Sequence, residues 1–355
     1  MLSFRNKSLT VSNIIKDNEG LIRIYMNIST TDNSNNFDLK YIYDIFHNDS
    51  NKLIIVMPAE LNPPHIEYVN SKLNLKFELH TCPHNHTFIY ELLLETEYTK
   101  NIKLLINDKI FDMTVNKYPE FKNKIIMSTI VLNEDNYIRQ WIEFHLNIGI
   151  SHFIIYDNNK NSNLKQFLND FIDKGIVVLI EWTYPYRLQK SGFSGQTTQQ
   201  NHSIYAFRNS KYIGLFDIDE YINMQNSAEI NNFLDSMITE FKLDTNNIGS
   251  FRILNKYFTN PYNLSTNDFN FLFIFNCKEI SKRGSEKNFV IPKNVKTFSV
   301  HMVTSGKQMY TVDYKYLYFN HYIFLNKSDR GRGRDMSDLQ DKTILKHCNF
   351  IKSDK

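Results

Sequence analysis

The stretch Lys211–Ile222, KYIGLFDIDEYI, decides how this chain is to be read. Its first half, YIGLF, is a continuous apolar run, as expected of a strand covered on both faces. Three acids then fall within four residues: Asp217, Asp219 and Glu220. Desolvating an ionised carboxylate is costly unless it is paired or meets a cation, so acids that close an apolar strand mark a site. On an extended segment, side chains two apart point the same way, and Asp217 and Asp219 are expected to converge. Hard Mg²⁺ or Mn²⁺ takes carboxylate oxygens and keeps positions open for substrate phosphates. The plainer alternative is that these acids cap the next helix or pair with surface lysines.

The residues before this stretch supply its context. KIIMSTIVL (124–132) is a second apolar strand. EDNYIRQWIEFHLNIG (134–149) has helical periodicity, with Ile138, Trp141, Ile142, Leu146 and Ile148 on one side and Gly149 closing it. HFIIYDNN (152–159) is a strand, NLKQFLNDFIDKG (163–175) a helix ending on Gly175, and VVLIEW (177–182) another strand. TTQQNHSIYAFRNS (197–210) suits a helix before YIGLF. This alternation predicts a parallel sheet covered on both faces, with ligands at the carboxyl ends of its strands. Those ends carry Asn133-Glu134, Asp157-Asn158 and Asp217-Ile218-Asp219. Neither GxGxxG nor GxxxxGK[ST] occurs, so a bound nucleotide needs another positive partner for its phosphates, and a divalent metal is the obvious one.

Residues 1–120 read differently. LIRIYMNIS, KLIIVMPA, KLNLKFELHT, FIYELLLETEY and KLLINDKIFDMTV are β-branched or aromatic runs separated by Asn, Asp and Pro, and INDKIF has the look of a hairpin. A small antiparallel sheet or sandwich is expected there. HTCPHNH sets His80, Cys82, His84 and His86 at alternate positions, the order a zinc site on one strand face would need, but Pro83 interrupts it.

A chain of 355 residues suggests two domains: 1–120 β-rich, 121–335 α/β, and 336–355 a tail. Hydrophobic residues at 42% and charged residues at 22% suit a globular protein with a sizeable core. A formal charge of +3, with one short Arg cluster near the C-terminus, argues against a nucleic-acid partner. Cys82, Cys277 and Cys348 are odd in number and far apart, which argues against a disulfide framework and for a reducing compartment. The N-terminus has no apolar core of a signal peptide and no apolar run reaches eighteen residues, so no membrane span and a cytoplasmic location are expected.

Four blocks also resemble a known family. STIVLNEDNYIRQWIEFHLNIGISHFIIYDNNKNS resembles the opening of the GT-A glycosyltransferases of family 92 and related family-2-like transferases. GQTTQQNHSIYAFRNSKYIGLFDIDEYI resembles their Asp-x-Asp-Glu block, KNFVIPKNVKTFSVHM their Lys-x-x-Val-x-Pro segment, and FNHYIFLNKSDRGRGRD their closing segment. The resemblance covers about 125–335 in the right order. It implies a GT-A fold (a Rossmann-like nucleotide-diphospho-sugar transferase domain) and inverting transfer of a hexose, possibly galactose, from a UDP-sugar to a glycan hydroxyl. The implied donor contacts are Asn133, Glu134, Asp157, Asn158, Asn201 and Asp217, with Lys327, Arg332 and Arg334 suited to the departing diphosphate. The implied metal ligands for Mn²⁺ (or Mg²⁺) are Asp217, Asp219 and His321, with His301 as the alternative to His321. Asp219 is the ligand expected to act directly in catalysis. Where relatives carry a Gly- and Ser-rich acceptor segment, this chain has LNKYFTNP (254–261).

The reaction also needs a carboxylate to take the acceptor's proton. Glu279, Glu286 and Asp313 are the candidates, Glu279 first. Two other readings are a metal-dependent phosphoesterase and a glycan-binding protein with a transferase-like shell.

Overall fold

The computed structural model describes residues 10–16, 22–27, 38–40, 42–48, 51–58, 63–70, 74–82, 87–94, 99–107, 109–132, 135–159, 162–182, 184, 186, 194–260, 270–281, 285–325 and 339–348. The chain forms two compact units, and it passes between them several times. One comprises 1–121, 184–209 and 296–300; the other comprises 122–183, 210–295 and 301–355. This division differs from the expected consecutive one. The helix expected to complete the α/β layers groups with the β-rich unit, and the expected tail belongs to the α/β unit.

The α/β unit contains β1 (Ile125–Val131), α1 (Asp135–Asn147), β2 (His152–Asp157), the short helices α2 (Leu164–Phe167) and α3 (Asn169–Asp173), β3 (Val177–Glu181) and β4 (Tyr212–Leu215). It continues with β5 (Glu220–Met224), α4 (Ile230–Glu240), β6 (Ile248–Ile253), β7 (Asn255–Phe258), β8 (Lys287–Val290), β9 (Gln308–Thr311) and β10 (Leu317–Tyr322). The main sheet runs β3-β2-β1-β4-β8-β6-β9. Strands β1 to β4 are mutually parallel, as the alternation of strands and helices predicts; β8 then pairs antiparallel with both β4 and β6. Val131 lies opposite Asp157, and Asp157 opposite Glu181, so the first three strands reach their carboxyl ends at one level. A smaller sheet, β5-β10-β7, sets Glu220 opposite His321 and His321 opposite Tyr257.

The core follows from the apolar spacing. Ile138, Trp141, Ile142 and Phe144 of α1 are fully buried against β1 and β2 residues such as Met127 and Phe153. Gly149 ends this helical segment at φ +94°, a backbone region that a side chain would strain. Gly214, in the middle of β4, has another reason: a Cβ there would lie 2.9 Å from the ring of Phe289 and 3.1 Å from Met127. Segment 339–348 packs into the same core through Ile344 and Cys348.

The β-rich unit has a five-stranded sheet of Asn116–Lys117, Asp44–His47, Lys52–Pro58, Thr87–Leu93 and Glu78–Cys82, in that spatial order. Its four-stranded sheet includes the expected hairpin, with Ile106 opposite Lys109. The helix Ser194–Ala206 is buried here although most of its side chains are polar. Several of its polar groups find partners: His202 Nε2 lies 2.7 Å from Asp44 Oδ2, and Thr198 Oγ1 lies 2.9 Å from Thr87 Oγ1. Asp44 also accepts from Asn116 Nδ2 at 2.7 Å and from the Tyr118 hydroxyl. Such satisfied networks let polar residues occupy an interior. His80 faces Glu78 and Glu91, and Cys82 Sγ lies 3.7 Å from the Phe298 carbonyl; His84 and His86 lie outside the described residues.

Candidate metal and donor site

The acids that close β4 are not on an extended segment, and this corrects the geometry expected from strand alternation. The Glu220 amide donates to the Asp217 carbonyl at 3.2 Å, and Ile218 and Asp219 form the turn between them. The turn sends the two aspartates to different partners. Asp217 turns to Lys287 of β8, whose Nζ lies 2.5 Å from Asp217 Oδ2. Asp219 turns to the end of β10, where His321 Nε2 lies 3.3 Å from its Oδ2.

Glu220 sits between these two branches. Its Oε2 accepts the Asp217 amide proton at 2.9 Å and lies 3.3 Å from Lys287 Nζ. Its Oε1 lies 3.7 Å from His321 Nδ1. Ligand atoms of Asp219, Glu220 and His321 all fall within 4.8 Å of one another, the single such group of His, Cys, Asp and Glu among the described residues. Asp219 Oδ2, Glu220 Oε1 and His321 Nδ1 are buried and make no hydrogen bond. Buried polar atoms are normally satisfied, so three such atoms in one place mark a missing partner. Two carboxylates and an imidazole form a donor set that suits a divalent cation, with hard oxygens for Mn²⁺ or Mg²⁺ and an imidazole that Mn²⁺ accepts readily.

The electrostatics agree with this geometry. Burial pushes the Glu220 carboxyl up to about 8, against the pull of Lys287 and with the repulsion of Asp217. For Asp217, burial acts upward too, but the charge and hydrogen bond of Lys287 outweigh it and hold the carboxyl below its usual range. That carboxyl keeps 42% of its side chain open, so solvent screens part of the effect. Burial lowers the affinity of His321 for a proton, and the charge of Asp219 more than restores it. Lys287 itself is raised: burial opposes its charge, and Asp217 and Glu220 hold it.

Three residues from α1 brace the turn. The Trp141 indole donates to the Glu220 carbonyl at 3.0 Å, and the Phe144 ring packs on Tyr221. His145 donates from Nδ1 to the Trp141 carbonyl at 2.8 Å and stacks on Tyr221. The apolar face of the first helix therefore fixes the backbone of the acid turn.

Other residues singled out in the sequence are arranged as follows. Asp157 and Asn158 are buried at the end of β2. Asp157 Oδ1 accepts from the Asn159 amide at 3.0 Å and side chain at 2.9 Å, and Asn158 Nδ2 donates to the Trp182 carbonyl at 2.5 Å. Asn201 lies in the β-rich unit, where Nδ2 donates to the carbonyls of Thr197 and Phe298, both at 2.8 Å, and Oδ1 accepts the Phe298 amide at 2.9 Å. His301 is not a member of the three-residue group; its Nδ1 donates to the Glu286 carbonyl at 2.7 Å. Glu279 and Asp313 are exposed, whereas Glu286 is buried next to Lys287 in the chain. Asn133, Glu134, Lys327, Arg332 and Arg334 lie outside the described residues.

Reading the sequence alone missed Glu220 as a member of the carboxylate–imidazole group and Lys287 as its neighbour. Glu220 had a signal, because it directly follows Asp219. Lys287 had only its place at the head of KNFVIP, 70 residues from Asp217.

The strand–helix sheet with acids at its strand ends has the architecture of the GT-A fold, and the compact carboxylate–imidazole group offers a donor set of the kind that divalent cations take. The model of glycosyltransferase family 92 matches residues 125–349, well over half the chain, and the protein belongs to that family. Similar curated proteins are family 92 members from Oryza sativa subsp. japonica, 24% identical over 113 residues, and from Ricinus communis, 25% identical over 101 residues. The matches cover 32% and 28% of this chain but only 18% and 16% of those relatives, so the chain spans less than a fifth of their length. Among solved structures, Staphylococcus aureus TarS 1–349 in complex with UDP is 11% identical, covering 64% of this chain and 70% of that one at a TM-score of 0.32. Glucosyl-3-phosphoglycerate synthase from Mycobacterium tuberculosis, crystallised with Mn²⁺, UDP and glucosyl-3-phosphoglycerate, is 13% identical, covering 38% and 44% at a TM-score of 0.24.

Proposed function

We propose that the protein is a metal-dependent glycosyltransferase that moves a hexose from a UDP-sugar to a hydroxyl of a glycan, with inversion. The observation that carries this reading is the group Asp219, Glu220 and His321, with its three buried atoms that form no hydrogen bond. These residues would hold Mn²⁺ or Mg²⁺. When bound, the cation supplies positive charge where the leaving diphosphate gathers negative charge.

The chain's own residues do the rest. Asp219 and His321 fix the position of the cluster through their mutual contact, and Trp141 keeps the turn from shifting by holding the Glu220 carbonyl. Ligands of such sheets bind at the carboxyl ends of the strands, and β1 and β2 reach theirs at one level. Among the acids named for taking the acceptor's proton, Glu286 is the best supported, because it is buried beside Lys287 in the chain while Glu279 and Asp313 face solvent. Galactose is the sugar that the family resemblance favours.

Titration calorimetry with UDP, with and without Mn²⁺, tests the reading. Binding that needs Mn²⁺ and falls at least tenfold in Asp219→Ala is expected. Metal-independent UDP binding, or an Asp219→Ala variant that binds as well as the native protein, would remove the metal-dependent assignment.

A further inference from the structure

Lys287 is a cation already in place beside the acid cluster. Its side chain is 3% exposed, its Nζ lies 2.5 Å from Asp217 Oδ2 and 3.3 Å from Glu220 Oε2, and it stands at the start of β8, antiparallel to β4. Burying an ammonium that deeply is unfavourable unless carboxylates compensate it, and removing one member of such a pair leaves the other uncompensated. Asp217 is absent from the group whose ligand atoms lie within 4.8 Å of one another.

We propose that Lys287 is the resident counter-cation of the turn: it holds Asp217 as its own partner, outside the metal's ligand set, and weakens the protein's grip on a divalent ion until a nucleoside diphosphate adds its oxygens. The first acid of the Asp-x-Asp is then a positioning residue and the second a ligand, with Glu220 bridging them. Two like charges share one desolvated site, so the ammonium raises the free energy of any second cation nearby. A bound diphosphate supplies new negative oxygens and relieves that repulsion. Metal and nucleotide therefore bind with positive coupling, and the coupling depends on the lysine.

This inference rests on the metal-dependent reading above, and the experiment separates the two. Electron paramagnetic resonance of free Mn²⁺ gives metal affinity on the full chain, with and without UDP. Asp217→Asn is expected to weaken Mn²⁺ binding about tenfold or more, because Lys287 is left uncompensated. Lys287→Met is expected to tighten it about tenfold or more without UDP, with a smaller gain on adding UDP. The double variant Asp217→Asn/Lys287→Met removes the pair together, conserves net charge and should bind Mn²⁺ within about threefold of the native protein. The double variant also keeps the test open if either single variant, holding an unpaired buried charge, fails to fold. Loss of Mn²⁺ binding in the double variant by tenfold or more would make Asp217 a ligand and overturn the proposal. Lys287→Met binding no tighter than the native protein would overturn it as well. No Mn²⁺ binding by the native protein even with UDP would instead remove the metal-dependent reading itself.

Discussion

At the scale of single residues, the acid turn depends on neighbours that never touch a substrate. His145 is fully buried, donates from one nitrogen to the Trp141 carbonyl, and leaves the other without a hydrogen-bond partner. Burial pushes its proton affinity down to about 3, from an ordinary value of 6.5, so the folded ring is neutral throughout the physiological range. The unfolded chain takes up a proton below about 6.5 while the folded chain does not, so the folded state loses stability as pH falls below that value, until the folded ring also protonates near 3. At two pH units below the unfolded value this amounts to about 2–3 kcal/mol. Denaturant unfolding of His145→Gln at several pH values should show a shallower loss of stability across this window than the native protein. An unchanged slope would mean that other groups govern the acid limb. The same residue explains a sequence signal: Trp-Ile-Glu-Phe-His reads as an amphipathic helix, and its Trp and His both turn inward because one holds the Glu220 carbonyl and the other holds the Trp141 carbonyl.

At the scale of elements, the small sheet β5-β10-β7 carries the site on one face of a rank, Glu220–His321–Tyr257, and is clamped elsewhere by segment 339–348. Asp341 makes that clamp. It accepts from Lys256 Nζ at 2.7 Å, from the Thr343 amide at 2.9 Å and hydroxyl at 2.6 Å, and from the Tyr318 hydroxyl. Burial raises this carboxyl, yet the hydrogen bonds from Lys256, Thr343 and Tyr318 bring it down to about 2. A depressed acid contributes stability above its unfolded value of 3.8, and that contribution disappears as pH falls toward 2. Replacing it with Asn keeps part of the hydrogen bonding but leaves Lys256 without its counter-charge. Asp341→Asn should lower stability by about 2–4 kcal/mol at neutral pH, read as a fall in Tm by thermal denaturation. A change within about 0.5 kcal/mol would show that the clamp is dispensable. Much of this layer was legible beforehand. Strands β2 to β4 announce themselves as apolar runs of four or more residues, and β1 as two apolar triplets around Ser128-Thr129, each followed within a few residues by polar ones. The turn at Asp217–Glu220 was not, because a period of two describes an extended chain and the chain bends there.

At the scale of the whole molecule, the two compact units are not consecutive in sequence. The helix Ser194–Ala206 has a string of polar residues, Gln196 to Ser203, all buried in the β-rich unit against the strands Lys52–Pro58 and Thr87–Leu93. A polar helix of this kind is stable only while its partners, such as Asp44 and Thr87, are present. A fragment starting at residue 122 should therefore aggregate or melt without a cooperative transition, whereas the full chain should melt cooperatively; circular dichroism during heating distinguishes them. A fragment that melts as sharply as the full chain would show that this helix does not need the first 121 residues. Composition could not reveal this. TTQQNHS looks like a solvated surface helix, and only pairing with side chains more than 100 residues away makes its burial tolerable.

The sequence by itself determined the alternating strands and helices, the side of α1 that faces the core, and the place in the chain where the acids gather, because apolar periodicity and the cost of burying carboxylates are local properties. Only the tertiary structure decided which acid meets which partner. Lys287 and His321 reach the turn from strands 70 and about 100 residues further on, and the direction of a bent backbone, unlike that of a straight strand, cannot be read from spacing.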